Sequence, residues 1–291
     1  MNEKNGEVPK HESPLKEHWH ELKRNKTAMA GLIIILIFIF VGIFAPLLAP
    51  MDPLEQNIDM RKTNPMTAGY ILGTDDLGRD MLSRLIYGAR ISMIIGVIAV
   101  GIALSFGIVI GMVSAFYGGM VDKIIMRLVD IMLAFPYILL TIVIVAVLGP
   151  SLTNAMVAIG IAQIPRYTRI VRASVLAEKE NDYVLAERAL GASDLELMFL
   201  SILPNCLAPI SVQATLGFGS AILESAGLSF LGLGAQPPTP EWGLMIASSK
   251  EFVTNAWWIV TFPGLATLLA VLGFNLLGDG LRDILDPRMR D

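Results

Sequence analysis

Charge is what this 291-residue chain lacks. Asp, Glu, Lys and Arg make up 16% of it, against 54% hydrophobic residues, where a soluble globular domain carries about 25% charge. A water-soluble enzyme of this size needs more polar surface than that, and is excluded. The net charge of −4 argues against a nucleic-acid partner. The single cysteine excludes an intrachain disulfide framework and a CxxC metal site. Gly and Pro show no period, so collagen-like and low-complexity chains are excluded as well. All three histidines fall within the first twenty residues, so no imidazole base lies in the apolar part. His18 and His20 sit two apart and would not share a helical face, so no metal site is expected. No G-x-x-x-x-G-K-[ST] run, nucleophile elbow or H-E-x-x-H is present, so no P-loop, serine-hydrolase or zinc-protease chemistry is expected.

What is present is a set of long stretches without charge. They cover 27–51, 91–121, 131–165, 197–223 and 252–278. A bilayer core about 30 Å thick is crossed by roughly 20 apolar helical residues. The run 131–165 is too long for one span, and Gly149-Pro150-Ser151 divides it. The expectation is an all-α integral membrane protein with six transmembrane helices, at 29–49, 91–117, 131–148, 152–167, 205–223 and 254–278. The fourth is short, with Arg166 snorkelling at its end. The first run is longer than a signal-peptide core and follows about 28 polar residues, so it is expected to remain in the mature chain.

Lys and Arg set the orientation. With the N-terminus in the cytoplasm, segments 1–28, 118–130, 166–204 and 279–291 hold 16 of the 22 basic residues. Both termini are therefore expected in the cytoplasm. The extracytoplasmic loops are 50–90 and 224–251, the main cytoplasmic loop is 168–204, and the cytoplasmic tail is 279–291.

Several pieces carry more detail. Residues 13–26 read as an interfacial helix for the lipid surface, with Leu15, Trp19 and Leu22 on one face, or as a solvated tail. Ala99, Ala103, Gly107, Gly111 and Ala115 form a slanting ridge of small residues. Such a ridge suits close helix packing, within the bundle first and between two copies second. Pro136 and Pro263 kink the third and sixth spans. Arg166, Arg169 and Arg172 recur on one helical face, and positive-inside anchoring is favoured over a specific contact. A short helix is expected from Asn181-Asp182-Tyr183 to Gly191, followed by a Ser193/Glu196 capping box. Residues 224–243 are too broken by Gly and Pro to span, yet too apolar for a free loop. Such backbone belongs where protein covers it or where it lines a cavity, as in a gate. Glu224 reads either as a residue at the water interface, which is favoured, or as part of a pathway. With almost no other charge within the spans, an ion-coupled transporter is disfavoured.

Three motifs, in order, carry a resemblance over nearly the whole chain. The stretch Asp182 to Ser193 followed by Leu203-Pro204-Asn205 resembles the "EAA" loop of ABC importer permeases. Gly73-Thr74-Asp75-Asp76-Leu77-Gly78-Arg79-Asp80, and Leu228 to Gly234 with Pro237-Pro238 and Trp242-Gly243, resemble the C-type permease subunit of dipeptide, oligopeptide and nickel systems.

The resemblance implies the type I importer permease fold and a place in the cytoplasmic (inner) membrane. It also implies a homologous second permease as heterodimer partner, an extracytoplasmic solute-binding protein, and two cytoplasmic ATPase subunits that bind ATP and Mg. The chain itself would hold no cofactor. Contact with the ATPase is implied for Asp182, Tyr183, Leu185, Ala186, Glu187, Arg188, Ala189, Leu190, Gly191 and Ala192. Asp75, Asp76, Arg79, Asp80, Glu224, Ser229 and Phe230 are candidates for binding-protein docking or a pathway gate; Asp75 to Asp80 serve equally well to pin their loop.

Two positions depart from the motif. Leu185 stands where its first acid belongs, with Glu187 two places later, and Ser201 stands where isoleucine is usual. The expected cargo is a di- or oligopeptide, with nickel or a metal chelate as the alternative. A self-contained channel or secondary transporter and a membrane scaffold are the competing classes.

Overall fold

The computed structural model describes residues 20–285. Helix α1 spans Lys26–Ile43 and is capped by Asn25, whose side chain accepts from the Thr27 and Ala28 amides. A single further turn, Ala45–Leu48, follows with Pro46 near its start. Helix α2, Met81–Tyr117, starts on the carboxylate cap of Asp80 and stops at Gly118, where φ is 62°. Helices α3, Gly119–Ala134, and α4, Tyr137–Leu148, meet at Phe135-Pro136. Proline pushes the residue before it out of the helical region, and the chain turns by 93° there. Helix α5 is Leu152–Glu178 and α6 is Asp182–Ala189. After the Ser193/Glu196 capping box and a π-helical turn at 197–202, the chain bends by 66° into α7, Leu207–Phe230. Helix α8, Trp242–Ser249, and α9, Trp258–Leu285, complete the order.

The helices outrun the charge-free windows that locate them. Helix α2 starts at Met81, so residues 81–90 are helical rather than loop. Helix α7 reaches Phe230, which places Glu224 and Ser229 inside a helix and not in the following loop. Helix α5 continues to Glu178, so Arg166 lies in its interior and does not end it. Pro136 breaks the third span outright instead of kinking it, whereas Pro263 lies within the continuous α9. Of the expected interfacial helix, residues 13–19 lie outside the described residues; the rest is helical only to Arg24. Backbone hydrogen bonding, not charge, sets where a helix stops.

Among the described residues, α1, α2 and α9 are each long and apolar enough to cross a membrane, and the bent pairs ending in α4 and α7 bring the number to five. The remaining expected span, α5, is long enough but carries Asn154, Gln163, Arg166, Arg169 and Arg172. Neighbours enclose it instead: Ala158, Ile159, Tyr167, Val171 and Val175 are fully buried.

Helix α2 packs along α5, α9 packs against α1 and α7, and α7 also contacts α2. Small residues set these distances. Ala99, Ala103 and Ala115 are fully buried. A Cβ on Gly107 would lie 2.5 Å from the Tyr167 Cβ, and one on Gly111 would lie 2.7 Å from the Thr168 carbonyl oxygen. The α1–α9 contact repeats the device, since a Cβ on Gly31 would lie 2.6 Å from the Leu277 nitrogen. The ridge on α2 is thus spent inside the bundle. Outward-facing Leu36, Ile37, Phe40, Leu268 and Leu269 give the exterior its apolar surface.

Gly107→Ala should lower the stability of the purified assembly by about 1–3 kcal/mol, the usual cost of overpacking. Gly101→Ala, where a Cβ meets nothing within 4 Å, should be neutral. Heat-survival curves followed by size-exclusion chromatography compare the two.

Candidate functional site

At one end of the bundle α6 lies across the ends of α2 and α5. Val184 is fully buried in a cluster with Met112, Phe116, Val175, Leu197 and Ile202. The Tyr183 hydroxyl donates to Glu178 at 2.6 Å and accepts from Asn205 at 3.0 Å. Burial, with the Glu178 carboxylate beside it, pushes that hydroxyl up to about 12, so it keeps its proton at working pH. Glu187 accepts from the Ser201 hydroxyl, and Arg188 lies over the Phe116 ring. Gly191 ends the helix with φ at 94°, a conformation that favours glycine. One side of α6 is therefore fixed to the bundle. The other side leaves Asp182, Leu185, Ala186, Ala189 and Leu190 exposed, Leu190 at 88%, and Ala192 is half-buried.

On the arginine face of α5, Arg169 and Arg172 make specific contacts, where the sequence favours anchoring alone. Arg172 grips Asp122 of α3 through two hydrogen bonds of 2.6 Å, and Arg169 bonds Asp130 at 2.6 Å. Lys179 donates to the Ala115 carbonyl at 2.9 Å, tying the end of α5 to α2.

At the opposite end, the segment 73–80 folds on itself. Asp75 accepts from the Leu77 and Arg79 amides, and its second oxygen lies 2.6 Å from Arg79 Nε. Arg84 Nε lies 3.4 Å from that oxygen, an ion-pair contact without hydrogen-bond geometry. Arg84 also donates to the Pro53 and Pro238 carbonyls at 3.0 and 3.4 Å. Asp80 caps α2 through the Ser83 amide and hydroxyl. Trp258 donates to the Thr74 carbonyl and Trp242 to that of Leu85. Asp75, Arg79 and Asp80 are thus buried and hold the loop down; only Asp76 is partly exposed.

The segment after α7 is folded back, not open. Ser229 is buried and accepts from the Ala235 amide. Glu241, 2% exposed, caps α8 through the Gly243 and Leu244 amides. Burial raises its carboxyl above the usual range, and the two amides oppose that shift. Phe230 stays exposed, with Lys250 over its ring.

Glu224 stands apart from both ends. It accepts from the Tyr137 hydroxyl at the start of α4 and from Gln163 Nε2 of α5 at 3.2 Å. It lies among three helices, six residues before α7 ends at Phe230. Tyr137, Gln163, Arg84 and Glu241 carry no motif, and only their partners across the fold reveal them.

Long apolar helices, a short helix laid across one end and knitted loops at the other define a helical protein of the multi-pass membrane class. Residues 107–291 match the family of binding-protein-dependent transport system inner membrane components, and residues 13–65 match the N-terminal TM domain of oligopeptide transport permease C. The chain is 52% identical over 284 residues to the di/tripeptide transport system permease protein DppC of Pseudomonas aeruginosa, covering 96% of this chain and 94% of the relative. It is 52% identical to the dipeptide transport system permease protein DppC of Escherichia coli, again over 96% and 94% of the two chains. A solved inward-facing structure of the MetNI methionine ABC transporter superposes with TM-score 0.58 at 18% identity, covering 71% of this chain and 98% of that one, and so shares the fold. The chain belongs to the binding-protein-dependent transport system inner membrane component family, as a permease of the type I importer fold.

Asp75→Asn should cost about 3–5 kcal/mol, because it removes the nearest counter-charge of two buried guanidinium groups and leaves only Asp76, 3.9 Å from Arg79. Asp76→Asn should stay within about 0.5 kcal/mol. Limited proteolysis of the 50–80 segment in the intact assembly separates the two variants.

Proposed function

We propose that this chain forms half of the translocation pathway of a dipeptide importer. Both termini lie in the cytoplasm, a homologous permease completes the pathway, and two ATPase subunits holding ATP and Mg supply the force. An extracytoplasmic binding protein delivers the peptide at the end that carries Asp76 and Phe230. The chain itself performs transport and no hydrolysis. The near-full-length identity to dipeptide permeases supports the cargo.

The observation that carries the mechanism is α6. Val184 and Tyr183 bind one side of it to the bundle, while Leu185 and Leu190 stand exposed on the other. An apolar helix face presented to water is a surface for a partner groove. A short helix fixed at several points transmits displacement that a loose loop would absorb. Movement of an ATPase subunit against Leu185 and Leu190 would thus be passed through Val184 to the ends of α2 and α5. Gly191 sets the exit angle of the chain from α6.

Proteoliposomes holding the whole complex should accumulate dialanine only with ATP and binding protein, and the purified chain alone should accumulate none. Leu190→Glu should reduce coupled uptake at least tenfold while the permease pair still assembles. Gly191→Val should do the same through backbone strain. Accumulation by the isolated chain would overturn the proposal, and wild-type uptake in both variants would remove α6 from the coupling path.

A further inference from the structure

A carboxylate within a membrane bundle is costly, and it persists where it meets a partner or a water-filled route. Glu224 is such a group. The turn at 149–151 joins α4 and α5, which pack against each other. Tyr137 at the start of α4 and Gln163 on α5 each lie roughly 18 Å of helix rise from that turn. Helices α4, α5 and α7 converge here, and each supplies one polar side chain.

The bonding is one-sided. Both donors approach Glu224 Oε2, and among the described residues Oε1 has no hydrogen-bond partner. No Lys or Arg among them lies within ion-pair distance of this carboxylate. Glu224 and Tyr137 are both partly open to the exterior of the chain. One turn further along α7, a Cβ on Gly227 would meet nothing within 4 Å, so space lies beside the carboxylate. An opening onto lipid would leave a charged oxygen in hydrocarbon. An opening onto the route between two permeases leaves it in water and facing the cargo.

The geometry points to Glu224, positioned by Tyr137 and Gln163 where three helices meet, as a binding station for the ammonium terminus of a short peptide in transit. The inference rests on the proposed transport of dipeptides. Tyr137 and Gln163 hold one carboxylate oxygen and leave the other aimed at the route. An ammonium group brings three donors and a positive charge, which complements a carboxylate that has acceptor capacity and no cation in direct contact, Arg166 of α5 acting on it only at longer range. Among the described residues one such group stands at this cluster and not a cage, so the peptide is held here without being trapped.

The test uses the complete transporter, with its binding protein, in proteoliposomes fed dialanine. Glu224→Gln keeps the side chain's size and an acceptor for Tyr137 but removes the charge; Glu224→Asp keeps the charge and shortens the side chain. A binding station predicts at least a tenfold fall in uptake for E224Q and no more than about a threefold fall for E224D. ATP hydrolysis stimulated by the loaded binding protein should be unchanged in both, since partners and motors still engage. A role limited to holding the three helices together predicts the reverse order, with E224D the more impaired and the complex less stable. Wild-type uptake in E224Q, or that reversed order, overturns the inference while leaving dipeptide transport standing. A wild-type complex that moves no dialanine overturns the proposed function, and the binding station falls with it.

Discussion

Helix α2 lies so close to α5 that no side chain fits at the crossing, and the rest of the bundle is arranged around that contact. Gly107 and Gly111 meet the backbone of Tyr167 and Thr168. In a membrane the hydrophobic effect gives little reason for two apolar helices to associate, so the attraction comes from dispersion between closely apposed surfaces. Glycine permits that approach. It also leaves the pair intolerant of added volume, so α2 and α5 behave as one body. Tyr167, held at the crossing, carries the contact on to α7 by donating to the Gln213 carbonyl.

Each end of that body is tied by polar contacts of a different kind. At the α6 end, Lys179 closes the free carbonyl of Ala115, and Arg172 grips Asp122 from the adjoining helix. At the other end Arg84 joins the segments around Pro53, Asp75 and Pro238, which are far apart in the chain. An arginine suits that post because its planar group offers five donors in a fixed fork. Val184 thus packs against one end of a closely apposed helix pair whose far end is fastened to the loops around Pro53 and Pro238. The Glu224 cluster lies between the two, where α4 and α7 meet α5.

Much of this was legible in the sequence because membranes impose simple rules. Charge-free runs fell on the long apolar helices, the small-residue ridge identified the packing face of α2, and Gly191 and the Ser193/Glu196 pair marked the ends of short helices. Helix ends escaped wherever a polar residue continued a helix beyond the apolar window. Residues 81–90 and 168–178 carry charge yet remain helical, because Asp80 caps one helix and backbone bonding carries the other to Glu178. The contacts of Arg169 and Arg172 were missed because their aspartate partners, Asp130 and Asp122, sit on α3 about forty to fifty residues earlier. Arg84, Gln163 and Tyr137 belong to no local pattern. A side chain that matters through a distant partner leaves no period in the sequence.

The two departures from the coupling motif have a common explanation in space. Glu187 appears two places after the expected acid, and Ser201 replaces an apolar residue fourteen positions later. In the fold they face each other, and the serine hydroxyl donates to the carboxylate. A carboxylate turned inward over an apolar neighbour would lose hydration without compensation; the hydroxyl supplies the missing bond. The change at one position thus makes the other tolerable. With Leu185 outward and Glu187 drawn back toward the bundle, the exposed face of α6 is more apolar than an acid at the first position would make it. A groove that receives it would gain more from shape and burial than from charge pairing, so its grip on α6 would depend only weakly on salt.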